Sequence, residues 1–440
     1  GIFDNAEWYY GPQKWMMNRL GITHTKPNKV FDRLRLVAAL QSNDESRHDR
    51  KFGSSSMRNQ MEHVDAFSIN LDLDKKFGER FDLYYGFESV HNKVGSVANR
   101  TDIVTGDVTP TNTRYPNGAT WQAAGLYGNL KYDLSSKVKL NAGVRFSRYQ
   151  IKAEFDTTQF PYPIVRAEVQ NQAINGSLGM VFALNSSTQI YLNGSTGFRA
   201  PNVDDLGKVF DSAPGFIVVP NPNLKPEYAW NAEAGFAKVF GNRFKMDASA
   251  FYTYLDDALA RRNFSYEGQD SLVFDGVLSQ VQAIQNISHA YVYGLQLGLD
   301  LYIWRGFSMR GTLSYQKGRE LGNDGITLNP LRHAPPTFGT AHLLYRRRKL
   351  SLDLYSILYA TMTNENLPVL ENTDLFTKDE NGLPYVPGYA TLNFKGAWFI
   401  NEHLTLNAGV ENITDQLYRS FGSGISAAGR NFTFGLRCRW

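Results

Sequence analysis

Cysteine is almost missing. Cys438 stands alone among 440 residues, which excludes an intrachain disulfide framework and any cysteine-built zinc cluster. Long apolar runs are missing as well. A membrane-spanning helix needs about 18 or more consecutive apolar residues, and stretches such as Met180–Leu184 fall far short of that, so a helical membrane bundle is excluded. The chain has no Lys- and Arg-rich tail, and a formal net charge of +4 is slight for its length, so nothing points to nucleic acid. No Gly-x-Ser-x-Gly elbow, phosphate-binding glycine loop or His-Glu-x-x-His helix is present, and no enzymatic activity is expected. The chain does have aromatic residues in quantity: 28 Phe, 24 Tyr and 7 Trp are too much apolar surface to leave solvated, which excludes disorder.

The hydrophobic pattern has a period of two. Val138, Leu140, Ala142, Val144 and Phe146 alternate with Lys139, Asn141, Gly143, Arg145 and Ser147, and the same alternation runs through Phe81–Glu88, Leu295–Tyr302 and Leu404–Glu411. Successive strand side chains point to opposite faces, so each segment has one apolar face and one wet face. Seventeen such segments begin near Trp15, Phe31, Glu62, Arg80, Ala119, Val138, Gln170, Thr188, Glu227, Phe244, Ile284, Gly306, Ala334, Lys349, Pro387, His403 and Gly429. Several reach ten residues or more, close to the roughly 9 to 11 residues of a tilted membrane-crossing strand.

The connections alternate between tight and long. The tight ones are Lys75–Glu79, Ser135–Ser136, Asn185–Ser187, Gly241–Arg243, Trp304–Arg305 and Asn401–Glu402. The long ones are Asn92–Gly118, Asp156–Val169, Pro201–Pro226, Asp257–Ala283, Gly322–His333 and Thr363–Tyr385. One trimmed rim and one elaborated rim is the asymmetry of an outer-membrane barrel. Phe240, Tyr302, Trp304, Trp398, Phe399 and Trp440 near segment ends suit an aromatic belt at the lipid headgroups. The wet face carries Asp82, Glu88, Lys139, Arg145, Asp247, Asp300, Arg310, Asp353, Glu411 and Arg437. Such charges need water or a polar partner, so the interior is not dry and empty. The expected fold is therefore all-β: an antiparallel transmembrane β-barrel in lipid.

Four short boxes carry a family resemblance. They are Gly197-Phe-Arg-Ala-Pro-Asn202, Asn221-Pro-Asn-Leu-Lys-Pro-Glu227, Gly409-Val-Glu-Asn-Ile-Thr-Asp415 and Ala428-Gly-Arg-Asn-Phe432. In this order they resemble those of TonB-dependent outer-membrane receptors. Glu7–Pro12, Glu45–Arg50 and Leu331–Pro336 look most like the haemoglobin, haem and transferrin receptor branch. The resemblance implies a 22-stranded barrel with an N-terminal plug, in the outer membrane of a Gram-negative bacterium, energised through the TonB complex by a segment ahead of the plug. Residues 1–440 would be the C-terminal portion of that barrel, about 17 strands, with the plug and first strands absent; the sequence also shows no secretory signal, as in a mature or truncated product. The implied function is energised uptake of an iron-bearing ligand, haem or a ferric siderophore, with no cofactor of its own. The alternatives are a passive porin-like channel and a soluble β-propeller; no internal repeat of 40 to 50 residues supports the latter.

Haem receptors of this branch typically carry a histidine between the first two boxes, but Asn202–Pro220 contains no His, Tyr, Met or Cys. An imidazole for haem iron would have to come from elsewhere, and His48, His91 and His333, on or near the long-loop rim, are the candidates. A packed or solvated histidine is the alternative reading for each. Arg199 could clamp a carboxylate of the ligand through a bidentate pair, or hold its loop by pairing with Asp204 or Asp205. The second box, with Pro220, Pro222 and Pro226 fixing the backbone, is expected to shape the loop and not to touch ligand.

Overall fold

The computed structural model describes all residues except 1–4, 159–164, 208, 209, 214, 275, 287, 288, 323, 325, 333, 369–376, 424 and 440. Among the described residues the main element is one 20-stranded sheet. Seventeen of its strands form an up-and-down antiparallel meander: β1 (Lys14–His24), β2 (Arg33–Lys51), β3 (Ser56–Phe77), β4 (Phe81–Asp102), β5 (Thr120–Asp133), β6 (Val138–Glu154), β7 (Arg166–Asn185), β8 (Thr188–Arg199), β9 (Glu227–Phe240), β10 (Phe244–Asp256), β11 (His289–Trp304), β12 (Phe307–Leu321), β13 (Phe338–Arg347), β14 (Leu350–Tyr359), β15 (Tyr389–Phe399), β16 (Leu404–Glu411) and β17 (Asn431–Cys438). Three short strands flank them: Asn5–Tyr10 on β2, Val108–Pro110 on β4 and Leu328–Pro330 on β12. Among the described residues β1 pairs only with β2 and β17 only with β16, so both are sheet edges. Among the described residues no helix is long and apolar enough to cross a membrane.

The pairing register decides which face each residue occupies. From β2 to β5 it runs without a shift: Leu40 lies opposite Phe67, Phe67 opposite His91, and Phe87 opposite both Leu71 and Leu126. These residues share the outer face. The apolar half of every alternating segment continues that face around the sheet, and its members are open to the surroundings: Val144 is 58% exposed, Leu178 57% and Phe434 81%. A water-facing protein does not leave so continuous an apolar band uncovered, whereas a lipid-facing wall requires it. The ten wet-face charges all fall on the opposite, inward face. There they pair along the wall: Arg145 with Glu88 at 2.8 Å, Arg310 with Asp300 at 2.7 Å and Lys395 with Asp353 at 3.4 Å. At the tight-turn rim aromatic pairs recur, Phe77 with Phe81, Phe240 with Phe244 and Trp304 with Phe307, as an interfacial belt requires. Trp440 lies outside the described residues.

Several boundaries differ from the sequence reading, four of them for an identifiable local reason. Asn92–Asp102 continue β4 instead of opening a loop, because β3 and β4 stay in register for 22 residues each and rise past the apolar band. The connection after β6 is likewise shorter than expected, since pairing persists from Glu154 to Arg166. The segment near Ile284 is not a wall strand: Val277–Asn286 joins a separate sheet, and the wall resumes at His289. Ala334 is not the start of a strand either. Pro335 and Pro336 cannot donate to a ladder, and β13 begins at Phe338.

Candidate ligand-capture site at the outer mouth

The long connections gather at one rim, where two small cores form, one between a loop and the inner face of the wall strands and one within the loops themselves. The first lies beneath the loop after β8. Val203–Gly207 forms a single helical turn whose Val203 and Leu206 are buried against Val94, Ile151, Ala153, Phe155, Ala167 and Val169. Its start is fixed reciprocally: the Asp205 N–H donates to Asn202 Oδ1 and the Asn202 N–H to Asp205 Oδ2, both at 3.0 Å, the geometry of a capping box. The second core belongs to a five-stranded sheet made from the loops after β8 and β10. Phe216–Val219 runs parallel to Gln280–Ala283, while Leu259–Asn263 and Ser271–Phe274 pair antiparallel with Val277–Asn286. Ile217, Val219, Val281 and Ala283 fill it.

The two sequence boxes bracket this assembly. Arg199, the last residue of β8, places Nη2 at 2.8 Å from both Asp205 oxygens and Nη1 at 3.5 Å from Glu227. Asp205 is 9% exposed, so the guanidinium neutralises a carboxylate that the helical turn has drawn out of water. The second box joins the two loops. Asn221 Nδ2 donates to the Ile284 carbonyl at 2.8 Å, Asn286 Oδ1 accepts from Lys225 N–H, and Glu227 accepts from Leu259 N–H. A third loop docks alongside: Arg114 bonds Glu45 at 2.6 Å and lies over Tyr115. Burial and then the Asp204 carboxylate push the Tyr115 phenol above its usual range. In the loop sheet, burial and then Glu267 push Tyr266 up to about 12. The mouth is thus roofed by ordered, partly dry structure.

The histidine candidates do not converge. His48 lies on the outer face, with Nδ1 at 2.7 Å from Asn59 Oδ1, Nε2 at 3.1 Å from Ser46 Oγ and the ring stacked on Tyr9. Both nitrogens are occupied. His91 shares the outer face with Phe67 and Phe87, turned away from the bore. His333 lies outside the described residues. His63, between Asp44 and Asp65, and His289, against Tyr254, also point outward. Among the described histidines on wall strands it is His342 that takes an inward position, its Nδ1 3.0 Å from Asp353 and its ring stacked on Tyr355. A carboxylate holding one imidazole nitrogen orients the other. The sequence carries the signal, since His342 precedes the outward Leu343 on the same strand and so takes the opposite face.

A wall of antiparallel strands, greasy outside, charged inside and carrying packed loop structure at one rim, is the wall of a transmembrane β-barrel. The family model described as "TonB dependent receptor-like, beta-barrel" matches residues 1–413, and the chain belongs to that family. Members of the family are receptor barrels of the Gram-negative outer membrane, which disfavours the passive-channel alternative. The chain is 28% identical over 324 residues to hemoglobin-haptoglobin utilization protein B of Neisseria meningitidis serogroup A / serotype 4A, covering 68% of this chain and 39% of that protein. It is 29% identical over 245 residues to hemoglobin and hemoglobin-haptoglobin-binding protein A of Haemophilus influenzae, covering 53% and 22%. It therefore spans well under half the length of either relative. Among solved structures, the copper transporter OprC shares the fold with a TM-score of 0.77 at 16% identity, covering 97% of this chain and 65% of that one. The hemophore receptor HasR of Serratia marcescens gives 0.67 at 16%, covering 97% and 66%.

Proposed function

We propose that this chain forms the wall and outer mouth of an outer-membrane receptor in a Gram-negative bacterium that takes up an iron-bearing ligand, with energy delivered through the TonB system. Haem, including haem carried on haemoglobin, is the favoured cargo over a ferric siderophore, because relatives named for haemoglobin binding match both in Neisseria and in Haemophilus. The observation that carries the reading is the pairing of a lipid-facing apolar band with an inner face lined by ion pairs and a rim where the loops pack into two small cores. A bore of this kind suits a polar occupant held by breakable bonds, and an ordered mouth suits selective capture more than free diffusion.

No group of three or more metal-ligating side chains occurs among the described residues, so recognition would rest on the ligand's own shape and charge. Growth on haemoglobin or haemin as sole iron source is the test. Deletion of the gene should abolish it and leave growth on ferric siderophores intact; loss on siderophores alone would reassign the cargo, and unchanged growth on both would overturn the reading.

A further inference from the structure

The tight-turn rim is unevenly charged. Three neighbouring turns, between β9 and β10, β11 and β12, and β13 and β14, carry Arg243, Arg305, Arg346, Arg347 and Arg348 in or beside them, all exposed. The backbone holds these turns side by side: the Tyr302 N–H donates to the Arg243 carbonyl at 2.7 Å and the Arg346 N–H to the Gly306 carbonyl at 2.9 Å. The carboxylates next along these strands are engaged elsewhere, Asp247 with Lys245 at 3.1 Å, Asp300 with Arg310 at 2.7 Å and Asp353 with Lys395 at 3.4 Å, so the arc keeps its positive charge. By contrast residues 134–137 and 186–187, the turns between β5 and β6 and between β7 and β8, hold Lys137 as their one cation.

Two of these arginines sit where an arginine is strained. Arg305 and Arg348 have φ of 46° and 48°, the left-handed region that crowds Cβ against the backbone and that glycine and asparagine tolerate best. The turn between β9 and β10 places Gly241 and Asn242 there instead, at 52° and 60°. Strain kept in two nearby turns points to a use for the side chain, and its surroundings say which. The Arg305 guanidinium lies over the Trp304 ring, 5.4 Å from its centroid; Trp304 stacks on Phe307, and Phe307 meets Tyr345 at 4.6 Å. Such an aromatic belt marks the headgroup level of a bilayer, so the arc begins where lipid phosphates lie.

We infer that this arc of arginines is a docking surface for the headgroups of anionic phospholipids in the leaflet at the tight-turn rim. A guanidinium presents a planar fork that fits two phosphate oxygens at once, and each basic side chain at an anionic bilayer surface adds to the attraction. Lipid held there fixes the depth and tilt of this side of the wall. The surface is independent of the cargo.

The intact receptor in nanodiscs of phosphatidylcholine, with a trace of spin-labelled phosphatidylglycerol or spin-labelled phosphatidylcholine, provides the test, read as the immobilised fraction of each label. Wild type should hold phosphatidylglycerol about fivefold or more tightly than phosphatidylcholine, the scale of one or more basic residues at a bilayer surface, and added salt should weaken the preference. R346Q/R347Q and R305N/R348N should each remove much of it. Asparagine suits the left-handed turn, so the second variant should do so without loss of thermal stability. K137Q, which removes an isolated cation of the same rim, should leave the preference unchanged. Equal immobilisation of the two lipids in wild type, or an undiminished preference in both double variants, would overturn the surface. Full displacement of phosphatidylglycerol by an equal concentration of inorganic phosphate would make it a free-phosphate site and overturn the lipid assignment.

Discussion

The wall and the mouth use the same apolar residue types in opposite ways. In the wall Val144, Leu178 and Phe434 are open to the surroundings and their polar neighbours line the interior. At the mouth Ile217, Val219 and Val281 are sealed into cores, and polar groups serve to join loops. The difference follows from the solvent each region meets. Lipid accepts an apolar side chain without any partner, so the wall needs only hydrogen-bonded backbone and the correct alternation. Water does not, so each mouth loop must find another loop to bury its apolar face. The wall is therefore built from local hairpins, and the mouth from contacts between residues some 60 positions apart, such as Phe216 with Gln280.

Truncating a mouth core should have the largest effect and should stay within the mouth. Ile217→Ala removes a fully buried side chain from a core with few members, at a cost of about 2 to 5 kcal/mol. Hydrogen exchange should rise across Phe216–Val219 and Val277–Asn286 while β6 to β8 remain protected; exchange rising equally in the wall would mean that the two regions fold as one unit. The converse change tests the wall. Val144→Arg places a charge on the lipid face well inside the band, at about 2 to 4 kcal/mol, whereas Asn141→Lys, on the inward face of the same strand, should cost far less. Unfolding in detergent or lipid should separate the two variants. Equal destabilisation would reverse the assignment of faces.

Period-two alternation made the wall legible because each wall strand pairs with its neighbour through a connection readable in sequence. The starts of β6, β8, β9 and β10 agree with the alternation to the residue. The loop sheet was not legible. Its strands of four or five residues are too short to show a period, and its longest, Val277–Asn286, reads like a wall strand because it too has apolar residues in a row. The same limit governs the site residues. His91 continues the alternation of Phe81, Leu83, Tyr85 and Phe87 and so belongs outside, but ending the strand there made it look like a loop residue. His48 points outward for the same reason.

Arg199 gives the smallest and most discriminating comparison, since it joins the end of a wall strand to the first mouth core. Both readings of this residue in the sequence, ligand clamp and loop tether, require an anion; the structure supplies Asp205 and Glu227. Arg199→Ala would leave the nearly buried Asp205 carboxylate with its backbone bond to Asn202 but no cation, at about 1 to 3 kcal/mol. The expected outcome is faster exchange at the amides of Asp205 and Leu206, which the capping turn protects, with the loop sheet and β6 unchanged. Asp205→Asn should reproduce it in weaker form, because the amide keeps one acceptor but loses the charge. If Arg199→Ala instead left those amides protected and weakened only ligand binding, the guanidinium would be acting on cargo, and the tether would have to be found among the buried contacts of Val203 and Leu206.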